Sequence, residues 1–121
     1  MAYDVDLAHR LRELLAAEPD LDEKPMFGGL AFLVGGHLTV AASGRGGLML
    51  RVDPAAAEGL LADPRATRMV MRGREVAGWL RVDLDATAAD DDLARWVGLG
   101  LEHVRTLPPK QAPRPRGVNF G

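Results

Sequence analysis

An apolar strand pattern that is broken by two adjacent glycines and closed by two more constrains the fold of this chain more than any other segment: Met26-Phe27-Gly28-Gly29-Leu30-Ala31-Phe32-Leu33-Val34-Gly35-Gly36-His37-Leu38. Glycine inside a strand gives up more chain entropy than alanine and packs no side chain, so a pair of glycines there marks a bulge or a close approach by other backbone. Residues 25–34 are accordingly read as one strand, with Gly28-Gly29 fitted to neighbouring backbone. Gly35-Gly36 reads as a two-residue hairpin turn of the kind that accepts positive φ.

The return strand, residues 37–42, places Leu38, Val40 and Ala42 on one face and His37, Thr39 and Ala41 on the other. Ser43-Gly44-Arg45-Gly46-Gly47 is a second turn, and Leu48-Met49-Leu50-Arg51-Val52 completes a three-stranded meander. Ahead of it, Asp4 caps a helix whose Val5, Ala8, Leu11 and Leu15 recur at helical spacing, and Glu18-Pro19 ends that helix. Behind it, Asp53-Pro54 starts a short helix over about residues 54–62, with aspartate at the cap and proline at the first helical position.

Thr67 to Arg72 and Ala77 to Val82 read as a further hairpin turning through Gly73-Arg74. Thr87-Ala88-Ala89-Asp90 has the form of a capping box opening a last helix, along which Leu93, Trp96, Val97, Leu101 and Val104 form an apolar stripe. Pro108-Pro109 stops it. The order α-β-β-β-α-β-β-α predicts an α+β fold of two layers, a five-stranded antiparallel sheet with helices on one side. Residues 1–108 form the domain, and residues 109–121 a Pro/Arg-rich C-terminal tail.

A chain of 121 residues that is 47% hydrophobic is the size of one ordinary domain with a single core. With no cysteine it has no disulfide, thiolate nucleophile or zinc–thiolate site. The amino terminus carries Asp4 and Asp6 where a secretory signal carries basic residues, and glycines interrupt every apolar run well short of the roughly 20 residues that cross a membrane. A soluble, cytoplasmic protein without a membrane partner is expected. The 17 acids against 15 Lys and Arg leave a formal charge of -2, which provides no global field for a polyanion, so nucleic acid ranks as a weak partner at most.

The run Met26-Phe27-Gly28-Gly29-Leu30-Ala31-Phe32, followed by Gly36-His37-Leu38 and later by Gly78-Trp79-Leu80-Arg81-Val82, resembles the TfoX/Sxy N-terminal domain family over nearly the whole chain. The resemblance implies a small antiparallel domain found in bacteria alone or ahead of a second domain. By the same resemblance, the two-domain members look like regulators of natural competence that act with transcription machinery at promoters. This chain resembles the single-domain form, and the family offers no catalytic residue set to transfer. Met26, Phe27, Gly28, Gly29, Gly35, Gly36, Gly78 and Trp79 therefore count as structural motif positions.

For chemistry the residues offer less. His9, His37 and His103 lack zinc-motif spacing, so no metal or other cofactor is expected. Gly44-Arg45-Gly46-Gly47 lacks the Gly-Lys-Ser/Thr ending of a phosphate loop and joins strand to strand, and Ser43 has no nucleophile elbow. Asp90, Asp91 and Asp92 suit a helix start better than a cation, and Trp79 and Trp96 suit core packing better than stacking on a ligand. Arg65, Arg68, Arg72, Arg74 and Arg81 are the candidate interaction surface, read either as convergent guanidiniums for phosphates or an acidic partner, or as a solvated sheet face. Lys110, Arg114 and Arg116 make the tail locally cationic, a solubilising segment or an arm that docks on a partner.

The leading reading is a non-enzymatic regulatory or protein-interaction domain with an unidentified protein partner, transcription machinery among the candidates, and with homodimer formation open because antiparallel sheets leave edges to cover. The rival is an enzyme or a small-molecule or phosphate binder using an arginine-lined cleft with His37 or His103. Direct DNA contact through the tail ranks last.

Overall fold

A computed structural model describes residues 3–26 and 28–108. The chain forms α1 (Val5–Leu15), β1 (Leu21–Met26), β2 (Gly29–Val34), β3 (His37–Ala42), β4 (Leu48–Arg51), α2 (Pro54–Leu60), β5 (Ala66–Met71), β6 (Arg74–Val82) and α3 (Asp90–Arg105). All sheet neighbours are antiparallel, in the order β1-β2-β3-β4-β6-β5. After β4 the chain crosses through α2 to the far edge as β5 and returns as β6 into the place beside β4.

The α+β class and the antiparallel sheet are those expected, but the sheet has six strands rather than five. The segment read as one strand over residues 25–34 is a hairpin: β1 pairs with β2 from Leu21↔Val34 to Met26↔Gly29, and Gly28, at φ 76°, lies in the reversal. β1 was invisible because its Asp22-Glu23-Lys24-Pro25 run has none of the apolar alternation of a half-buried strand. It is an edge strand, where charge and proline are tolerated. It is tied to the helix layer by Leu21, which packs against the core, and by Arg12 of α1, which forks onto both Glu23 carboxylate oxygens at 2.6 and 2.8 Å. That hydrogen-bonded pair holds the Glu23 carboxyl below its ordinary pKa.

Three helices cover one face of the sheet. Asp4 caps α1 by accepting from Leu7 N at 3.0 Å, and the helix buries Leu7, Ala8, Leu11 and Leu15. Asp53 caps α2 by accepting from Ala55 N at 2.9 Å, with Pro54 in the first turn. α3 begins at Asp90 behind Ala89 without a side-chain cap, because Thr87 is turned onto Asp85 instead of onto the helix. The expected capping box therefore does not form, and Asp90 and Asp92 reach Arg10 and Arg65. Trp96, Leu93 and Val97 of α3 pack with Phe32, Val40, Leu50 and Leu80 of the sheet in one fully or nearly fully buried core.

Alternation along β3 breaks once. Phe32 pairs with Val40 and Leu33 with Leu38, so Thr39 is the extra residue of a bulge. Thr39 turns under Gly100 of α3, Val40 keeps to the helix side, and Leu38 is delivered to the opposite face with Ala41. The expected grouping of Leu38 with Val40 and Ala42 is corrected accordingly. A second irregularity lies between Arg68 and Val70 of β5, opposite Gly78. Gly78 has φ 79°, and a β-carbon there would press at 3.1 Å on both Pro54 and the Val52 carbonyl, where the chain enters α2.

Candidate interaction face

The face of the sheet away from the helices is apolar along much of its width. A row of paired residues crosses it from Lys24 through Ala31, Ala41, Met49 and Arg81 to Thr67. Ala31, Ala41, Met49 and Met69 are buried there by their neighbours alone, with Met26, Leu33, Leu38 and Trp79 packed around them. Small alanines keep the centre flat, and the larger side chains rise beyond it toward the end of the sheet where β3 begins and β5 finishes.

At that end Leu38, Met49, Met69, Met71, Val76 and Trp79 enclose a groove of about 160 Å³. Each arrives from a different constraint. The bulge in β3 presents Leu38, β4 presents Met49 on the side opposite Leu48 and Leu50, and the Gly78 irregularity sets Trp79 beside Val76. The Arg51 guanidinium stands 5.9 Å from the Trp79 ring centroid, which places a cation at the groove's border and orients the indole. Val70 and Met71 on the neighbouring edge strand are exposed large hydrophobics.

The five arginines singled out from the sequence are dispersed. Arg65 binds Asp63 through Nε and Nη2 at 3.1 and 2.8 Å and reaches Asp92 at 3.2 Å. Hydrogen bonding by Arg65 lowers the Asp63 carboxyl to a pKa of about 2, and Arg65 is itself raised. Arg68 lies on the helix side of β5, paired with Glu58 of α2 and 3.7 Å from Glu75. Arg72, at φ 54°, forms the β5–β6 turn with Gly73, and Arg74 opens β6; both are exposed. Arg68 and Arg72 do not share a strand face, since β5 ends at Met71. Arg81 stands on the open face and donates to Gly46 O at 3.2 Å.

Arg65 and Arg81 do meet, with Arg45, around a groove of about 480 Å³ that Asp83 and Asp85 also line. The acids in its wall offset the cations, and Arg65 is already committed to two carboxylates. Trp96 is a core residue as expected, whereas Trp79 belongs to the open face. Of the structural motif, Met26, Gly28 and Gly29 form the end of the β1–β2 hairpin, Gly35 and Gly36 the β2–β3 turn, and Gly78 and Trp79 the irregular part of β6; Phe27 lies outside the described residues.

His37 is buried, and its Nε2 donates to the Pro108 carbonyl at 2.7 Å. His9 is exposed beside Arg12, and His103 is half-buried in the last turn of α3. Among the described residues no three His, Cys, Asp or Glu side chains are grouped to hold a metal ion, and no helix is long and apolar enough to cross a membrane. Lys110, Arg114 and Arg116 lie outside the described residues.

The groove residues were missed in the sequence because methionine beside leucine in Leu48-Met49-Leu50 reads as one apolar strand. The signal was present: apolar residues at consecutive positions in a short strand mean that both faces are apolar. Met69 and Met71 repeat it at alternate positions of β5. No curated protein and no solved structure gives a significant match to this chain. The TfoX N-terminal domain model, however, matches residues 13–104, from the last turn of α1 to the last turn of α3, and the chain belongs to the TfoX N-terminal domain family.

Proposed function

We infer that this is a non-catalytic regulatory domain that works by protein contact through the helix-free face of its sheet. The observation that carries the reading is the Met49, Met69, Met71 and Trp79 groove, left uncovered by all three helices and open to solvent at Met71. Flexible, polarizable methionines suit a surface that accommodates aliphatic or aromatic anchors of a partner, and a tryptophan beside an arginine is a frequent energetic centre of interfaces. Family membership supports a regulatory role, with competence or transcription control in a bacterial cytoplasm as the setting.

The test is capture of a defined partner from extract of the native cell by the intact chain, by Met71→Glu and by Trp79→Ala. The expected result is one specific protein held by the wild type and lost, by tenfold or more in affinity, with Met71→Glu, whose parent side chain is exposed. Equal capture by folded Met71→Glu and wild type overturns the reading, as does turnover of a small metabolite by the purified protein without any partner.

A second reading, an anionic small ligand held by Arg45, Arg65 and Arg81, is favoured only by their convergence on one groove. A thermal-shift series with nucleotides and phosphorylated metabolites separates the two. Saturation at a hundredfold excess over the dissociation constant corresponds to about 2.7 kcal/mol of stabilisation, and no shift at that excess removes this reading.

A further inference from the structure

Strand register sets arginines around the apolar groove. Arg81 pairs with Met49, Arg51 with Trp79 and Arg74 with Met71, and cross-strand partners in an antiparallel sheet share a face. Met49, Met71 and Trp79 of the groove wall therefore each have an arginine as direct neighbour. Along β6, Arg74, Val76 and Trp79 follow one another, and Arg51 lies across from Trp79, so the apolar patch is set between two cations. Five strand positions separate Arg74 from Trp79, roughly 16 Å at about 3.3 Å per residue. Exposed Arg72, in the β5–β6 turn, adds positive charge beside Arg74.

These cations have no counter-charge of the chain's own. Among the described residues, Arg10, Arg12, Arg65, Arg68 and Arg105 are ion-paired with Asp or Glu, whereas Arg51, Arg72, Arg74 and Arg81 are not. Glu75 follows Arg74 in sequence but is turned toward Arg68 on the helix side, 3.7 Å away. Arg81 also lines the depression that holds Asp83 and Asp85, which leaves Arg51 and Arg74 as the uncompensated pair at the groove. Arg51, 5.9 Å from the Trp79 ring centroid, keeps its N–H fork for a carboxylate while lying against the ring.

The groove itself selects for an apolar anchor. Its volume of about 160 Å³ suits one aromatic or branched aliphatic side chain, much as a cavity of about 150 Å³ takes benzene. Leu38, Met49, Met69, Met71 and Val76 bring no group that reads a base edge, and the methionines favour contact with a ring. A phosphate backbone would satisfy the arginines and leave this seat empty, and the net charge of -2 opposes a polyanion at long range. A peptide segment that carries an apolar side chain between carboxylates satisfies both.

We propose that the partner of this face is an acidic amphipathic protein segment, with one large apolar side chain seated among Met49, Met69, Met71 and Trp79 and with Asp or Glu on either side of it meeting Arg51 and Arg74. The proposal rests on the contact reading above and adds the chemistry of the partner. Because Arg74 is exposed, the association is weakened by salt.

Selection from a random 12-residue peptide display library on the intact chain tests this, with Met71→Glu, Arg51→Gln and Arg74→Glu in parallel. The expected result is enrichment of peptides that combine Phe, Leu or Met with flanking Asp and Glu. A synthetic copy of the most enriched peptide should lose tenfold or more in affinity with each variant and with its own acids changed to amides. Arg74 is exposed, so Arg74→Glu keeps the fold even if Arg51→Gln does not. No enrichment, enriched peptides without an excess of acids, or equal binding by folded Arg74→Glu overturns the proposal. Displacement of the peptide by an equal concentration of a single-stranded oligonucleotide overturns it in favour of nucleic acid. A captured cellular partner that is lost with Met71→Glu but held equally by Arg74→Glu would uphold the contact reading and sink this one alone.

Discussion

Gly29 lies against the carbonyl of Ala42 so closely that a β-carbon on it would stand 2.1 Å from that oxygen, and 2.9 Å from Gly44 N. The β1–β2 hairpin end and the β3–β4 turn thus meet backbone to backbone, and no side chain fits between them. Gly29→Ala is expected to lower the unfolding free energy by about 3 kcal/mol, the upper range of overpacking costs. In a denaturant titration, Gly98→Ala is the contrast. Gly98 lies inside α3 with nothing within 4 Å of a β-carbon, so alanine should add about 1 kcal/mol of helix propensity. Wild-type stability in Gly29→Ala would refute the contact.

The two faces of the sheet should respond differently to truncation. Phe32 is fully buried under the helices, and Phe32→Ala should cost about 3–5 kcal/mol. Met71→Ala on the groove's exposed side should stay within about 0.5 kcal/mol of wild type. Comparable losses from both, measured by thermal or chemical unfolding, would make the groove an extension of the core rather than a surface for contact.

Asp4 serves two segments, capping α1 through Leu7 N at 3.0 Å and accepting from Ala86 N at 3.3 Å in the loop before α3. Asp4→Ala is expected to cost about 1 kcal/mol, and Asp4→Ser or Asp4→Asn to recover most of it, as judged from unfolding midpoints. Failure of both replacements would assign the loss to the Ala86 contact instead of the cap.

The Arg65–Asp63 pair predicts an acid-side signature. Asp63 titrates at about 2 in the folded chain, below its ordinary 3.8, because Arg65 hydrogen-bonds the charged carboxylate. A depressed folded pKa means stabilisation that is complete above 3.8 and lost as pH falls through about 2. The Asp63 carboxyl resonance should therefore titrate near 2, and Arg65→Ala should return it toward 3.8. A wild-type midpoint near 3.8 would show that the pair does not persist in solution.

What the sequence made legible is what local chemistry decides. The Asp4 and Asp53-Pro54 helix starts, the Gly35-Gly36 turn and the Ser43–Gly47 turn are each set by residues within a few positions of one another. β1 was hidden because an edge strand needs no apolar alternation, so Asp22-Glu23-Lys24-Pro25 carries no strand signal. The side on which Leu38 emerges depends on pairing with β2, where Thr39 is skipped, and that register is not encoded in β3 alone.

The arginines illustrate the same boundary at the candidate site. Their spacing suggested convergence, but Arg65 is matched with Asp92 and Arg68 with Glu58, partners supplied by other elements. The methionine groove likewise exists only once β3, β4, β6 and β5 lie side by side, and the β5–β6 order is reversed relative to the chain.

The two borders of the sheet are unlike. β1 presents Asp22, Glu23, Lys24 and Pro25, whereas β5 presents the exposed Val70 and Met71. Charge and proline discourage an incoming strand, and apolar side chains invite one. Any association by strand addition consequently has a single productive border per molecule. Two copies joined there satisfy each other and leave only guarded borders outward, so growth terminates at a closed pair instead of continuing as a fibre.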